Sequence, residues 1–157
     1  QLALVLGLAK RPALLILDEP VASLDPLARR EFLQILMEAV AEHELSVVLS
    51  SHVISDLERV CDHLVVLVDS QVRLDGEVDD LLARHVRLVG APFRARGLPS
   101  EQTVVAESHT ERQSTFIVQT TRPVLDPRWT VSRLGLEELV LAYLTRAAES
   151  APTMAVV

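Results

Sequence analysis

Apolar and polar residues alternate in blocks along the first 85 positions, and the period inside the blocks switches between helical and extended. Leu2, Leu4, Val5, Leu6, Leu8 and Ala9 form a mostly apolar helix, closed by Lys10, Arg11 and Pro12. Residues 13–17 are an unbroken apolar run leading into Asp18. Its length, with proline before it and carboxylates after it, predicts a strand covered on both faces. Asp25 reads as a helix N-cap with Pro26 in the first helical position. Behind it, Leu27, Phe32, Ile35, Leu36, Ala39 and Val40 trace an inward stripe, while Arg29, Arg30, Glu31, Gln34, Glu38 and Glu42 face outward.

A second strand is expected over residues 46–50, centred on Val47, Val48 and Leu49. Residues 53–61 carry Ile54, Leu57 and Val60 at helical spacing, and residues 64–68 make a third buried strand. Residues 72–74 form a short edge strand paired with it through Asp69, Ser70 and Gln71. After a turn at Asp75 and Gly76, a short helix over 77–84 buries Val78, Leu81 and Leu82. A β-α-β-α-β order with crossovers of this length predicts a parallel sheet with helices on its faces.

The character changes near His85. Residues 1–85 hold seven basic and fifteen acidic side chains, whereas residues 86–157 hold eight and seven. Five of the eight prolines fall in the second part, and residues 90–99, rich in Gly, Pro and Arg, read as a linker or irregular loop. Residues 103–106 and 114–120 predict a hairpin around 107–112. Residues 135–148 return to a helical pattern with Leu136, Leu139, Val140, Tyr143 and Leu144 on one side, and the end from Ser150 is expected to fray.

Composition narrows the class. The 157 residues are 49% apolar with a formal net charge of −7, which argues for a real core and against a nucleic-acid backbone as main partner. One cysteine, Cys61, excludes an internal disulfide framework and a multi-cysteine metal site, and fits a reducing compartment. The longest apolar stretch, residues 2–9, is far short of the about 20 residues a bilayer span needs, and no basic region precedes it as in a signal peptide. The chain begins with Gln1 and is apolar and periodic from its second residue, a start that reads as the middle of a helix.

The chemistry concentrates at strand ends. Asp18 and Glu19 directly follow the first strand, at the sheet edge where α/β proteins place ligands. Asp18 suits Mg²⁺ held through water, and Glu19, alternating to the other side, suits polarising a water for in-line attack on a terminal phosphate. The plainer alternative is a solvated carboxylate pair that only caps the loop. Ser50, Ser51 and His52 end the next strand at the same edge. His52 there either donates to a γ-phosphate oxygen or holds Glu19 and the attacking water, and the plain alternative is an N-cap neighbour without a ligand. Capping accounts for Asp25 fully. His43, His63, His85 and His109 read as surface or boundary residues, Cys61 as a core residue on the apolar side of its helix, and Arg94 and Arg96 as a solvated loop.

In combination these segments resemble the ATP-binding-cassette (ABC) ATPases. Residues 14–20, Leu-Leu-Ile-Leu-Asp-Glu-Pro, are similar to the Walker B strand and catalytic glutamate, Ser23 to Asp25 resemble the D-loop, and His52 matches the switch histidine of the H-loop. The likeness covers residues 1–85. Residues 86–157 resemble the variable C-terminal extension of many bacterial transporter ATPases. The resemblance implies an α/β, P-loop NTPase-type parallel sheet flanked by helices, incomplete here, with a small α+β extension. It implies ATP and Mg²⁺ as ligands, with Asp18 as the magnesium-associated acid, Glu19 as the general base, His52 on the γ-phosphate, and Ser23 and Asp25 communicating across a dimer. Implied partners are a second nucleotide-binding domain packed head to tail and transmembrane permease subunits, with no nucleic acid. The implied place is the cytoplasmic face of the cell membrane.

The sequence also departs from that family. It contains no G-x-x-x-x-G-K-[ST], no Q-loop, and no signature motif before Leu2. Residues 1–10 look like the remainder of the signature helix, so the chain reads as the C-terminal part of a longer ATPase that is inactive alone. The alternative expectation is a non-transport scaffold or regulator built on the same ATPase fold and acting through protein–protein contacts.

Overall fold

A computed structural model describes residues 2–92 and 102–150, and Arg94, Arg96 and the segment after Ser150 lie outside the described residues. The chain divides into two compact units, Gln1–Val60 and Cys61–Val157.

The first unit runs α1 (Leu2–Ala9), β1 (Leu14–Leu17), α2 (Pro26–His43), β2 (Ser46–Leu49) and α3 (Ile54–Leu57). β1 and β2 pair in parallel, with Leu14 opposite Ser46 and Leu17 opposite Leu49. Because side chains alternate along a strand, Leu15, Leu17, Val47 and Leu49 pack on the core of Leu4, Val21, Phe32, Leu33 and Leu36. Leu14, Ile16 and Val48 point the other way and are more than half exposed. The expectation of cover on both faces is therefore corrected, since α1 and α2 both contribute to the same core. α2 starts where its sequence says it should, with Asp25 Oδ1 accepting from Leu27 N at 3.0 Å and Ala28 N at 3.1 Å, and Pro26 next. Its buried face is Phe32, Leu33, Leu36 and Ala39, whereas Leu27 and Ile35, expected inside, are exposed. α3 is a single turn of four residues, five fewer than the sequence pattern, which leaves Cys61 outside it, half-buried and donating its thiol proton to the His63 carbonyl at 2.7 Å. Burial pushes that thiol's pKa up.

β1 ends abruptly. Glu19 has φ +44°, a left-handed conformation that costs an L-residue about 1–2 kcal/mol relative to glycine. The turn bonds Ala22 N to Glu19 O and Leu24 N to Val21 O then carry the chain to the Asp25 cap.

The second unit holds β3 (His63–Val68), β4 (Gln71–Glu77), α4 (Val78–Ala83), β5 (His85–Gly90), β6 (Gln102–His109), β7 (Ser114–Thr120), β8 (Thr130–Arg133) and α5 (Leu136–Ser150). β3 pairs antiparallel with β4. The reason is local: Asp69 and Ser70 have φ of +51° and +60°, the backbone of a two-residue turn that folds a strand straight back. Parallel pairing among the described strands is that of β1 with β2.

The remaining strands form an antiparallel sheet in the order β6-β7-β5-β8. The hairpin of β6 and β7 matches its sequence pattern, but β5, which follows α4 by one residue at the change in composition, is an inner strand and not a boundary. Leu88, Phe116, Val118 and Trp129 make the core, with the Phe116 and Trp129 rings edge to face at 5.5 Å. α5 buries Leu136, Leu139, Val140 and Ala142.

His85, expected at the surface, is fully buried. Its Nδ1–H donates to the Leu81 carbonyl at 2.6 Å, and its Nε2 accepts from the Tyr143 hydroxyl at 3.0 Å. Burial holds its pKa below the ordinary value, aided by the Arg84 charge and opposed by the Leu81 bond.

Three outcomes follow for unfolding experiments. A Cβ at Gly90 would lie 2.7 Å from the Trp129 ring and 2.8 Å from the Arg128 carbonyl, so Gly90→Ala should cost about 1–3 kcal/mol by urea titration. For His85 the unfolded chain takes up a proton first as pH falls through about 6.5, so stability declines on the acid side. His85→Gln, which keeps a donor and an acceptor but does not titrate, should lose less stability than wild type between about pH 7 and pH 5. Glu19→Gly, relieved of left-handed strain, should raise the unfolding free energy by up to about 1 kcal/mol.

Candidate functional site

The parallel register carries one step past the strands, with Ser50 N donating to the Leu17 carbonyl at 2.9 Å. The next residues on each chain segment are thereby brought side by side. Ser50 Oγ–H donates to Asp18 Oδ1 at 2.6 Å, and the Glu19 N–H donates to Ser50 Oγ at 2.8 Å. Two residues on, His52 Nδ1 lies 2.8 Å from Glu19 Oε2. An ionised carboxylate accepts only, so Nδ1 carries the proton and Nε2 is the nitrogen left for another group.

Three of the residues singled out in the sequence, Asp18, Glu19 and His52, thus share one hydrogen-bonded chain with Ser50. The site is open: the His52 side chain is 68% exposed and that of Glu19 39%. Ser51 serves the local turn, its Oγ accepting from Val53 N at 3.0 Å. Asp25 is engaged in capping α2, and Ser23 is exposed in the turn ahead of it. Between them and the acids, Val21 is 1% exposed and anchors the loop in the core. On the other side of α2, Arg29 Nη1 pairs with Asp56 Oδ2 at 3.3 Å, joining that helix to the segment after His52.

Ser50 is the residue that sequence reasoning passed over. It stood in the Ser50-Ser51-His52 run, but its role depends on the β1–β2 register, which hydrophobic pattern alone does not supply. For a metal ion, the described residues contain no group of three or more His, Cys, Asp or Glu side chains that could hold one. A lone exposed carboxylate, oriented by a hydroxyl, fits Mg²⁺, a hard cation that keeps most of its waters and takes substrate phosphates as ligands. No described helix is long and apolar enough to cross a membrane.

No family model matches the chain. The ABC transporter ATP-binding protein YtrB of Bacillus subtilis (strain 168) is 30% identical over 156 residues, which is 90% of this chain and 52% of that protein. The uncharacterized ABC transporter ATP-binding protein YxlF of the same organism is 38% identical over 81 residues, 52% of this chain and 27% of its own. The thiamine import ATP-binding protein ThiQ of Photorhabdus laumondii is 35% identical over 84 residues, 54% of this chain and 36% of its own. A solved ATP-binding subunit of an ABC transporter shares 36% identity over 48% of this chain and 31% of its own, with a TM-score of 0.44. The chain spans about half the length of YtrB and less of the others. With Asp18, Glu19 and His52 linked at adjoining strand ends, the chain is similar to ABC transporter ATP-binding proteins, in the case of YtrB over 90% of its own length.

Proposed function

We propose that the whole protein binds and hydrolyses ATP and powers transport through membrane partner subunits. The observation that carries this reading is the Glu19–His52 contact of 2.8 Å beside Asp18, at the ends of two parallel strands. In the complete domain, β1 and β2 belong to a P-loop NTPase-type parallel sheet flanked by helices. Residues 1–85 form its C-terminal part, and residues 86–157 form the variable extension. The 157 residues hold no G-x-x-x-x-G-K-[ST], so the phosphate-cradling loop and its lysine come from other residues of the whole protein, and this chain alone is inactive.

The reaction is ATP + H₂O → ADP + phosphate. Glu19 accepts a proton from water as the water oxygen attacks the terminal phosphorus, and the bond to the bridging oxygen of ADP breaks in line. His52 fixes one carboxylate oxygen of Glu19, which leaves the other to face water, and its Nε2 is available to the terminal phosphate. To hold Glu19 and donate to phosphate at once, the ring must carry both protons. Asp18 holds Mg²⁺ through water, and that ion, when bound with ATP, screens the phosphate charge. Ser23 and Asp25 communicate with a second nucleotide-binding domain packed head to tail. The thiamine import name of one relative supports permease subunits as partners, and with them a place at the cytoplasmic membrane face.

The test is Mg²⁺-dependent ATP turnover by the full-length parent polypeptide. Glu19→Gln should lower kcat by about 10²-fold or more while ATP binding is retained, and His52→Ala should also lower it. Absence of turnover in wild type, with membrane partners present, would overturn this reading and favour a scaffold acting through protein contacts.

A further inference from the structure

We propose that Ser50 is a positioning residue for the hydrolytic pair, one hydroxyl that sets both the Asp18 carboxylate and the Glu19 backbone. The proposal rests on the ATPase reading above.

The argument begins with the ladder. Ser46 N donates to Ala13 O at 3.0 Å and Ser50 N to Leu17 O at 2.9 Å, so the parallel pattern advances two residues per bond along each strand. Regular continuation would send the Glu19 N–H to the Ser50 main-chain carbonyl. It goes instead to Ser50 Oγ at 2.8 Å. The side chain has taken the place of its own carbonyl, and this is the point at which Glu19 leaves the extended region for φ +44°. Strained conformations of this kind persist where neighbouring bonds over-determine them, and they gather at functional sites.

The hydroxyl's inventory is then full in one direction. A serine has a single proton to give, and here Asp18 Oδ1 receives it at 2.6 Å, the length of a bond to an ionised acceptor. With that proton fixed, the oxygen's lone pairs face the Glu19 N–H. Asp18 therefore has one oxygen oriented by Ser50, and Glu19 has its main chain held by Ser50 and its carboxylate held by His52. Two acids on consecutive residues are kept apart in role by a group from the neighbouring strand, 32 positions away from the first of them. Ser50 touches neither substrate nor water in this scheme. It acts through Asp18 and Glu19, so its loss should blur the aim of the base without removing it.

The experiment uses the full-length parent polypeptide and compares wild type, Ser50→Ala, Ser50→Thr and Glu19→Gln. Ser50→Ala should lower kcat on the order of tenfold with KM and equilibrium ATP affinity within about twofold, the signature of an interaction that matters in the transition state. Ser50→Thr keeps the hydroxyl and should recover kcat to within about threefold of wild type. Thermal melting of all variants separates a local effect from loss of fold. Ser50→Ala turning over at the wild-type rate overturns the proposal while Glu19→Gln remains inactive and the ATPase reading stands. A Ser50→Thr variant as poor as Ser50→Ala, or a fall in ATP affinity and melting temperature that parallels the fall in kcat, assigns Ser50 a structural role and also overturns it. Glu19→Gln turning over at the wild-type rate removes the ATPase reading, and the role of Ser50 with it.

Discussion

Everything at the candidate site depends on the register of two four-residue parallel strands. With Leu17 opposite Leu49, the residues that follow meet as Asp18 and Ser50. A slip by one residue would set Ser51 beside Asp18 and would also turn Val48 inward and Val47 and Leu49 outward. That second consequence is the safeguard. Leu15, Leu17, Val47 and Leu49 are packed against Phe32, Leu33, Leu36 and Leu4, so the apolar core resists the slip that would dismantle the polar network. Packing on one side of the strands thus fixes hydrogen bonds at their ends.

The loop that leaves the site is held at three points. Glu19 is caught by Ser50 and His52, Val21 is sunk in the core, and Asp25 is bound to the first turn of α2. Seven residues, Glu19 to Asp25, thus run from a left-handed turn through a hydrophobic anchor to a cap, with Ser23 exposed between the last two. The ion pair of Arg29 with Asp56 adds a second tie between α2 and the segment beyond His52. Side chains on either side of the loop are therefore tied to the same helix.

Much of this was legible because the signals are short-range. Asp25 followed by Pro26 announces a helix start, and the β-forming residues 103–106 and 114–120 announce a hairpin, since each feature depends on neighbours in sequence. Asp18, Glu19 and His52 stood out as polar residues directly behind apolar runs. What pattern could not carry were contacts fixed by distant partners. His85 is buried by Leu81, four residues away, and by Tyr143, fifty-eight residues away, and nothing in its own surroundings distinguishes it from a surface histidine. β5 coincides with a shift in composition and so reads as a border, although its partners in β7 and β8 make it an inner strand. On α2, Leu27 and Ile35 fit an apolar stripe, yet the face that meets the strands is centred on Phe32, Leu33 and Leu36.

The irregularity in β6 bears on how the sheet of the second unit meets other chains. Between Val104 and Ala106 the strand inserts an extra residue, Val105, which is 3% exposed. β6 and β8 are the outer strands of that sheet, and β8 is only four residues long. An incoming strand would find an interrupted row of main-chain donors and acceptors on one side and a very short row on the other. The described sheet is therefore a poor template for end-to-end accretion, a consequence of backbone geometry at one edge and of strand length at the other.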